Sequence, residues 1–363
     1  MISKDLRKHA GQLSIAGFTG HSIPADLKIL AREFDLGGII LFARNVDSPE
    51  QVAEIAREAQ SLTQELPLWV SVDQEGGRVA RLKTPFTVWP PMMTLGRSGD
   101  AQLAARFARA LAAELRAVGI SMDYTPVLDI LTNASNPVIG DRALATDAEQ
   151  VAKLGQVIIR TLQENGIAAC GKHFPGHGDT SVDSHFELPL IEHPPDRIER
   201  VELVPFRAAI EAGVASIMTA HILIPALDTE RPATLSRRVV TTMLKQELGY
   251  EGLVLSDDLE MKAISGRYGM AEATVMAIAA GCDAVLMCGE GQDKQAEAIE
   301  AVIHAAEAGE LSEKRLEDAL ARHRRVKERF LVRRPRPLSG APLREALGAD
   351  EHQAVSDEMA RFA

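Results

Sequence analysis

The sequence predicts an α/β fold, a (β/α)8 barrel of the TIM type in a single domain, on three observations. Eight short β-rich runs recur along the chain. An amphipathic stretch follows each, and no break rich in Pro, Gly and Ser divides the series. The runs are 13–18, 37–43, 68–73, 120–130, 168–174, 215–222, 252–257 and 283–288. Most are nearly continuous in Val, Ile, Leu and Ala, as strands covered on both faces require. Between them lie helix-start signals. Ser48 caps and Pro49 opens a helix over 49–65. Asp196 opens 197–212, and Ser236 opens 237–248, which stops at Gly249. Periodicity does not show closure, so an open doubly wound sheet is the alternative; a barrel is favoured because it leaves no edge strand. The barrel is expected over 1–332. The tail, 333–363, carries prolines that break helix and is expected to wrap the barrel surface. Two long insertions, 83–98 after the third run and 175–195 after the fifth, fall where catalytic loops of a barrel lie.

Composition narrows the function. The chain has 363 residues, 46% of them hydrophobic and 25% charged, enough for a full core. With 40 Lys plus Arg against 51 Asp plus Glu, the net charge of −11 argues against nucleic acid or an anionic membrane as partner. Three cysteines, Cys170, Cys282 and Cys288, contain no C-x-x-C and read as buried thiols in a reducing compartment. The charged N-terminus does not read as a signal peptide, and no apolar run approaches the ~20 residues of a membrane helix. A soluble, cytoplasmic protein is expected.

The chemistry is carried by where polar residues fall. Asp73 ends the third run, Lys172 and His173 the fifth, His221 the sixth and Asp257 the seventh. An ionised side chain at the end of an apolar strand is costly unless it is paired or functional. In a barrel, all five meet at one mouth. The densest segment is KHFPGHGDTSVDSH, 172–185. His173, His177, Asp179 and His185 could gather a metal, but an i, i+4 His pair for metal normally sits on a helix, which Phe174-Pro175-Gly176 disfavours. Alternatively, Lys172 and His173 donate hydrogen bonds to a polyhydroxyl ligand while a shaped loop brings Asp183 and His185 over it. Trp89, in the long mouth loop, is a candidate for sugar stacking, whereas Trp69 alternates with apolar residues and reads as core. Asp258 reads as a cap or ion-pair partner, Glu75 as neutralised by Arg78 or Arg81, and His177 and Asp179 as loop-holding. His221 is split between pocket lining and a satisfied core histidine.

KHFPGHGDT…DSH, with DQEGGRVARL at 73–82, NPVIGDRA at 136–143 and SDDLEM at 256–261, resembles glycoside hydrolase family 3, and within it the single-domain bacterial NagZ-type β-N-acetylglucosaminidases. The motifs run in family order from about residue 10 to residue 290. The resemblance implies the barrel, no cofactor or metal, a monomer, and retaining hydrolysis of terminal β-linked GlcNAc. In this subfamily the substrate is a small saccharide or muropeptide, GlcNAc-1,6-anhydro-N-acetylmuramic acid with or without peptide. It implies Asp257 as nucleophile, His185 as acid/base and Asp183 as its orienting partner. Asp73, Arg81, Arg142, Lys172 and His173 are implied as substrate contacts.

The chemistry fits those roles. A nucleophile must stay ionised and fixed, as a strand end allows. A histidine titrates near neutrality and can give a proton to the leaving oxygen, then take one from water. Two rivals stand beside this reading. A phosphorylase of the same family is one, since a histidine repels phosphate less than a carboxylate does. A non-catalytic muropeptide-binding barrel is the other.

Overall fold

Eight parallel strands close into a barrel: β1 (Ser14–Ala16), β2 (Gly38–Leu41), β3 (Trp69–Val72), β6 (Met122–Asp123), β7 (Ala168–Phe174), β8 (Ser216–Thr219), β9 (Leu253–Asp258) and β10 (Ala284–Met287). Their order around the barrel is β1-β10-β9-β8-β7-β6-β3-β2. A separate antiparallel hairpin, β4 (Gln74–Gly76) and β5 (Val79–Ala80), rises from the end of β3. The structure, a computed structural model, describes residues 4–63, 66–289, 291–332 and 336–363. The expected closure and all eight barrel strands are therefore present. No helix among the described residues is long and apolar enough to cross a membrane.

The continuous apolar runs are explained by two cores. Alternate strand residues point inward, among them Ile15, Ile40, Trp69, Met122, Leu253, Leu255 and Leu286, and fill the barrel. Val326, Phe330 and Leu331 join this cluster. The other alternates, such as Ile39, Leu41, Val70 and Val254, pack against the helices. Trp69 thus lies in the barrel interior, as its alternation predicts.

Local signals place most helices. Ser48 Oγ accepts from Gln51 N and Pro49 takes the first helical position. Ser236 Oγ accepts from Val239 N at the start of the helix Arg238–Glu247, and Gly249, with φ 66°, follows it. Two expectations need correction, and two points left open are decided. The 197–212 helix is two, Pro195–Arg200 and Val204–Glu211, because Pro205 cannot donate and clashes with the preceding turn. The 120–130 run is a regular strand only over Met122–Asp123; beyond it, around Pro126, which lacks an N–H for the ladder, it keeps a single bridge from Val127 to Lys172. The 83–98 insertion contains a helix, Met92–Ser98, bracketed by Pro91 and Gly99. Trp89 in that insertion is buried edge-on to Phe107 at 5.0 Å and does not line the cavity at the barrel mouth.

The start of the C-terminal tail, 333–335, lies outside the described residues. Beyond it, helices Gly340–Ala346 and Asp350–Ala360 pack on the helix Ala101–Ala117. Buried Glu114 on that helix accepts from Thr87 N, Thr87 Oγ1, Gly348 N and His352 Nδ1, so one carboxylate ties the 83–98 insertion and the tail to the barrel. Leu343 and Met359 are fully buried. Met359→Ala should cost ~2–5 kcal/mol of stability in urea unfolding; a cost below ~0.5 kcal/mol would show that the tail is not integral to the fold.

Candidate active site

The C-terminal ends of the strands open into one cavity of about 280 Å³, near the lower end of the ~300–1,000 Å³ of small-molecule sites. All eight residues singled out from sequence line it: Asp73, Arg81, Arg142, Lys172, His173, Asp183, His185 and Asp257. On β9 the inward alternation of Leu253 and Leu255 continues to Asp257. On β7 the same alternation delivers Lys172. A register shift between Lys172 and Phe174 breaks the alternation, and His173 reaches the cavity as well.

One wall is a charge network. Lys172 Nζ lies 2.8 Å from Asp73 Oδ1 and 2.6 Å from Glu75 Oε1. Arg142 grips Glu75 with both Nε (2.9 Å) and Nη2 (2.8 Å), and Arg81 Nη2 reaches Asp73 Oδ2 at 3.2 Å. Glu75 is thus neutralised by Arg142 and Lys172, correcting the expected Arg78 or Arg81. Three cations on two carboxylates leave one positive charge facing the cavity. The β4–β5 hairpin supplies Glu75.

Asp129 is the residue that sequence reasoning missed. Fully buried, it accepts from the backbone N–H groups of His173 (3.1 Å) and His177 (2.6 Å), and from His173 Nδ1 at 2.6 Å. A carboxylate only accepts, so His173 Nδ1 carries a proton. Neutral His173 therefore offers Nε2 as an acceptor, whereas the sequence reading made it a donor; it donates there only as the imidazolium. Asp129 escaped notice because 120–130 was read as one strand, which hid a carboxylate at the end of an apolar stretch.

The 175–195 loop carries the Asp183–His185 pair. It packs backbone to backbone on the barrel rim: at Gly178 a Cβ would stand 1.7 Å from the Ile130 carbonyl oxygen. Asp179 accepts from Thr132 Oγ1 and pairs with His193 Nε2 at 2.5 Å, clasping the two ends of the loop. At its tip, Asp183 Oδ1 accepts from His185 N (2.8 Å) and His185 Nδ1 (2.7 Å). This fixes the proton of the neutral ring on Nδ1 and leaves Nε2 free to exchange one. Among the described residues no group of three His, Cys, Asp or Glu is arranged to hold a metal. The loop histidines are instead committed to Asp129, Thr180, Ser184 and Asp183.

Electrostatics separates the carboxyls. For Asp257, burial alone would raise the pKa, but His221, His173 and the Asp258 N–H at 2.8 Å hold it below the ordinary value. Asp258 goes the other way, pushed up to about 6 by burial, although its Oδ1 accepts from Cys288 N and Glu260 N. It serves as a turn cap, as expected. His221 is wholly buried between Thr234 Oγ1 and the Asp258 carbonyl, a satisfied histidine behind Asp257.

These shifts set the acid stability. Burial would raise Asp73, Glu75, Asp129 and Asp257, yet the surrounding cations and N–H groups leave all four lowered. A lowered carboxyl contributes stability that is present above its unfolded pKa and lost as pH falls through its folded one. Asp123 and Asp258 are raised, and oppose this only above the ordinary aspartate value of 3.8. The urea midpoint should therefore fall steadily below pH 3.8; a flat profile down to pH ~2.5 would mean the network contributes nothing net.

Comparison with known proteins agrees with this architecture. The glycosyl hydrolase family 3 N-terminal domain matches residues 5–326. The β-hexosaminidase of Thiobacillus denitrificans is 44% identical over 259 residues, 70% of this chain and 71% of its own. A family 3 β-N-acetylglucosaminidase from Paenibacillus sp. superposes with a TM-score of 0.93 at 42% identity, over 100% of this chain and 69% of that one. NagZ from Neisseria gonorrhoeae, in complex with N-trifluoroacetyl-D-glucosamine, gives a TM-score of 0.77 at 30% identity, over 97% of this chain and 98% of its own. The chain belongs to glycosyl hydrolase family 3.

Proposed function

We propose that this protein is a retaining, exo-acting β-N-acetylglucosaminidase whose natural substrate is GlcNAc-1,6-anhydro-N-acetylmuramic acid, with or without its peptide, from peptidoglycan turnover. Family membership and β-hexosaminidase relatives make it a glycoside hydrolase of the β-N-acetylhexosaminidase type; the aglycone is the finer reading. A cytoplasmic, monomeric enzyme without a cofactor goes with that substrate.

The observation that carries the mechanism is an ionised strand-end carboxylate, Asp257, sharing one small cavity with the loop-borne Asp183–His185 pair. Asp257 attacks the anomeric carbon while His185, as imidazolium, gives its Nε2 proton to the departing oxygen. Asp183 holds the ring and stabilises that cation. In the second step neutral His185 takes a proton from water, which displaces Asp257 and releases GlcNAc with its β configuration. Asp73, Arg81, Arg142, Lys172 and His173 hold the sugar hydroxyls, their own positions fixed by the charge network and by Asp129.

Proton NMR of the first-formed product tests this. The reading expects the β anomer from the anhydro-disaccharide, cleaved in preference to chitobiose. An α anomer would reject double displacement, and preference for chitobiose would reject the proposed aglycone. The phosphorylase alternative draws support from the net positive wall and the histidine; GlcNAc-1-phosphate formed in phosphate buffer would establish it.

A further inference from the structure

The 181–188 stretch of the dyad loop is open to solvent except at one residue. His185 and Phe186 are exposed, Phe186 at 78%, whereas Ser184 between Asp183 and His185 is 1% exposed. Both polar ends of Ser184 are held. Its carbonyl accepts from Ala263 N at 3.1 Å, in the short helix Lys262–Ser265 that follows β9. Its Oγ lies 3.2 Å from His177 Nε2.

His177 is itself built in. Its N–H donates to Asp129, its carbonyl accepts from Asn136 Nδ2 (2.8 Å), and its Nδ1 meets Thr180 Oγ1 at 2.8 Å. Burial pushes this imidazole down to about 4, so it is neutral in the working range. The Thr180 hydroxyl also lies 3.1 Å from the His177 carbonyl oxygen, and because a hydroxyl both donates and accepts, either ring tautomer gives one hydrogen bond between Nε2 and Ser184 Oγ. Asp129 is thus shared: the same carboxylate orients the cavity-lining His173 and the base of the His177–Ser184 contact.

We propose that Ser184 is the seat of the acid/base loop, gripping His177 on the β7 side and the Ala263 amide on the β9 side. It is thereby a positioning residue that sets where His185 stands relative to Asp257. This rests on the acid/base reading of His185. The neck clasp of Asp179 and His193 closes the loop; the Ser184 seat docks its tip. An unseated tip leaves Asp183 and His185 bonded to each other but displaced, and displacements of ~1 Å can cost as much as 10²-fold.

The test compares kcat/KM for an alkyl GlcNAc glycoside and for a GlcNAc glycoside of an acidic phenol in wild type, Ser184→Ala, Ser184→Thr, His177→Gln and His185→Ala. Amide hydrogen exchange is followed over 181–188. The seat predicts that Ser184→Ala loses about 10- to 100-fold on the alkyl glycoside and under about threefold on the phenolic one, with exchange accelerated at 181–188 but not in the strands. Ser184→Thr, which keeps the hydroxyl, should restore most of the loss. His177→Gln removes the imidazole from the other side and should reproduce the Ser184→Ala pattern, which guards against a folding defect in one variant. Unchanged exchange and unchanged alkyl kinetics in Ser184→Ala would overturn the proposal, as would equal losses on both substrates, the mark of a substrate contact. If His185→Ala itself fails to discriminate between leaving groups, the acid/base reading falls first. Faster exchange in Ser184→Ala would then show a loop anchor with no catalytic purpose, and the positioning role would fall with it.

Discussion

Asp257→Ala should lower kcat on a chromogenic GlcNAc glycoside by about 10⁴-fold or more, equivalent to ~5.4 kcal/mol of transition-state stabilisation, while the far-UV spectrum stays that of the wild type. The size of the effect follows from the lack of a substitute. Asp258, next in sequence, has Oδ1 taken by Cys288 N and Glu260 N and its pKa pushed up to about 6 by burial. Asp73 is locked between Lys172 and Arg81. Neither is free to attack, so the deletion removes the covalent route instead of shifting it to a neighbour. Asp258→Asn keeps an oxygen for the same N–H groups and should retain activity within about tenfold. Comparable collapse of both variants would mean that the turn after β9, and not one carboxylate, is what matters.

His185→Ala should depress kcat/KM for alkyl glycosides by roughly 10²- to 10⁴-fold, the range of general acid catalysis, and far less for glycosides of acidic phenols. The ratio kcat/KM reports the glycosylation step, in which a phenolate leaves without needing a proton. Asp183→Ala should fall between wild type and His185→Ala. It removes the oxygen that fixes His185 Nδ1 at 2.7 Å but leaves the imidazole in place. Equal losses on both substrate classes would contradict the proton-donor role.

Much of this site was readable in the sequence because barrel strands obey a period of two and end at one rim. An Asp or Lys terminating an apolar run was therefore expected at the mouth, and Asp73, Lys172 and Asp257 line it, whereas His221, ending the sixth run, is buried behind Asp257. What escaped depended on distant register. Glu75 and Arg142 are 67 residues apart, and only the placing of the β4–β5 hairpin against the 136–143 turn brings them together. Asp129 was hidden where the regular strand ends at Asp123 although the apolar pattern continues. Trp89 was read from its loop, but packing against Phe107 decided its fate. The tail helices are short and follow prolines, so their stability comes from burying Leu343 and Met359, which local propensity does not reveal. Ser184 carried no signal beyond its place between two candidate residues, since its burial is set by a bond to Ala263 from another strand's turn.

Trapping the covalent intermediate addresses the mechanism most directly. After incubation with a 5-fluoro-GlcNAc donor and proteolysis, mass spectrometry should find the sugar on the peptide containing 256–261, attached at Asp257, with inactivation in proportion. A sugar bound to any other residue, or full turnover with no adduct under conditions that trap a retaining enzyme, would contradict the account.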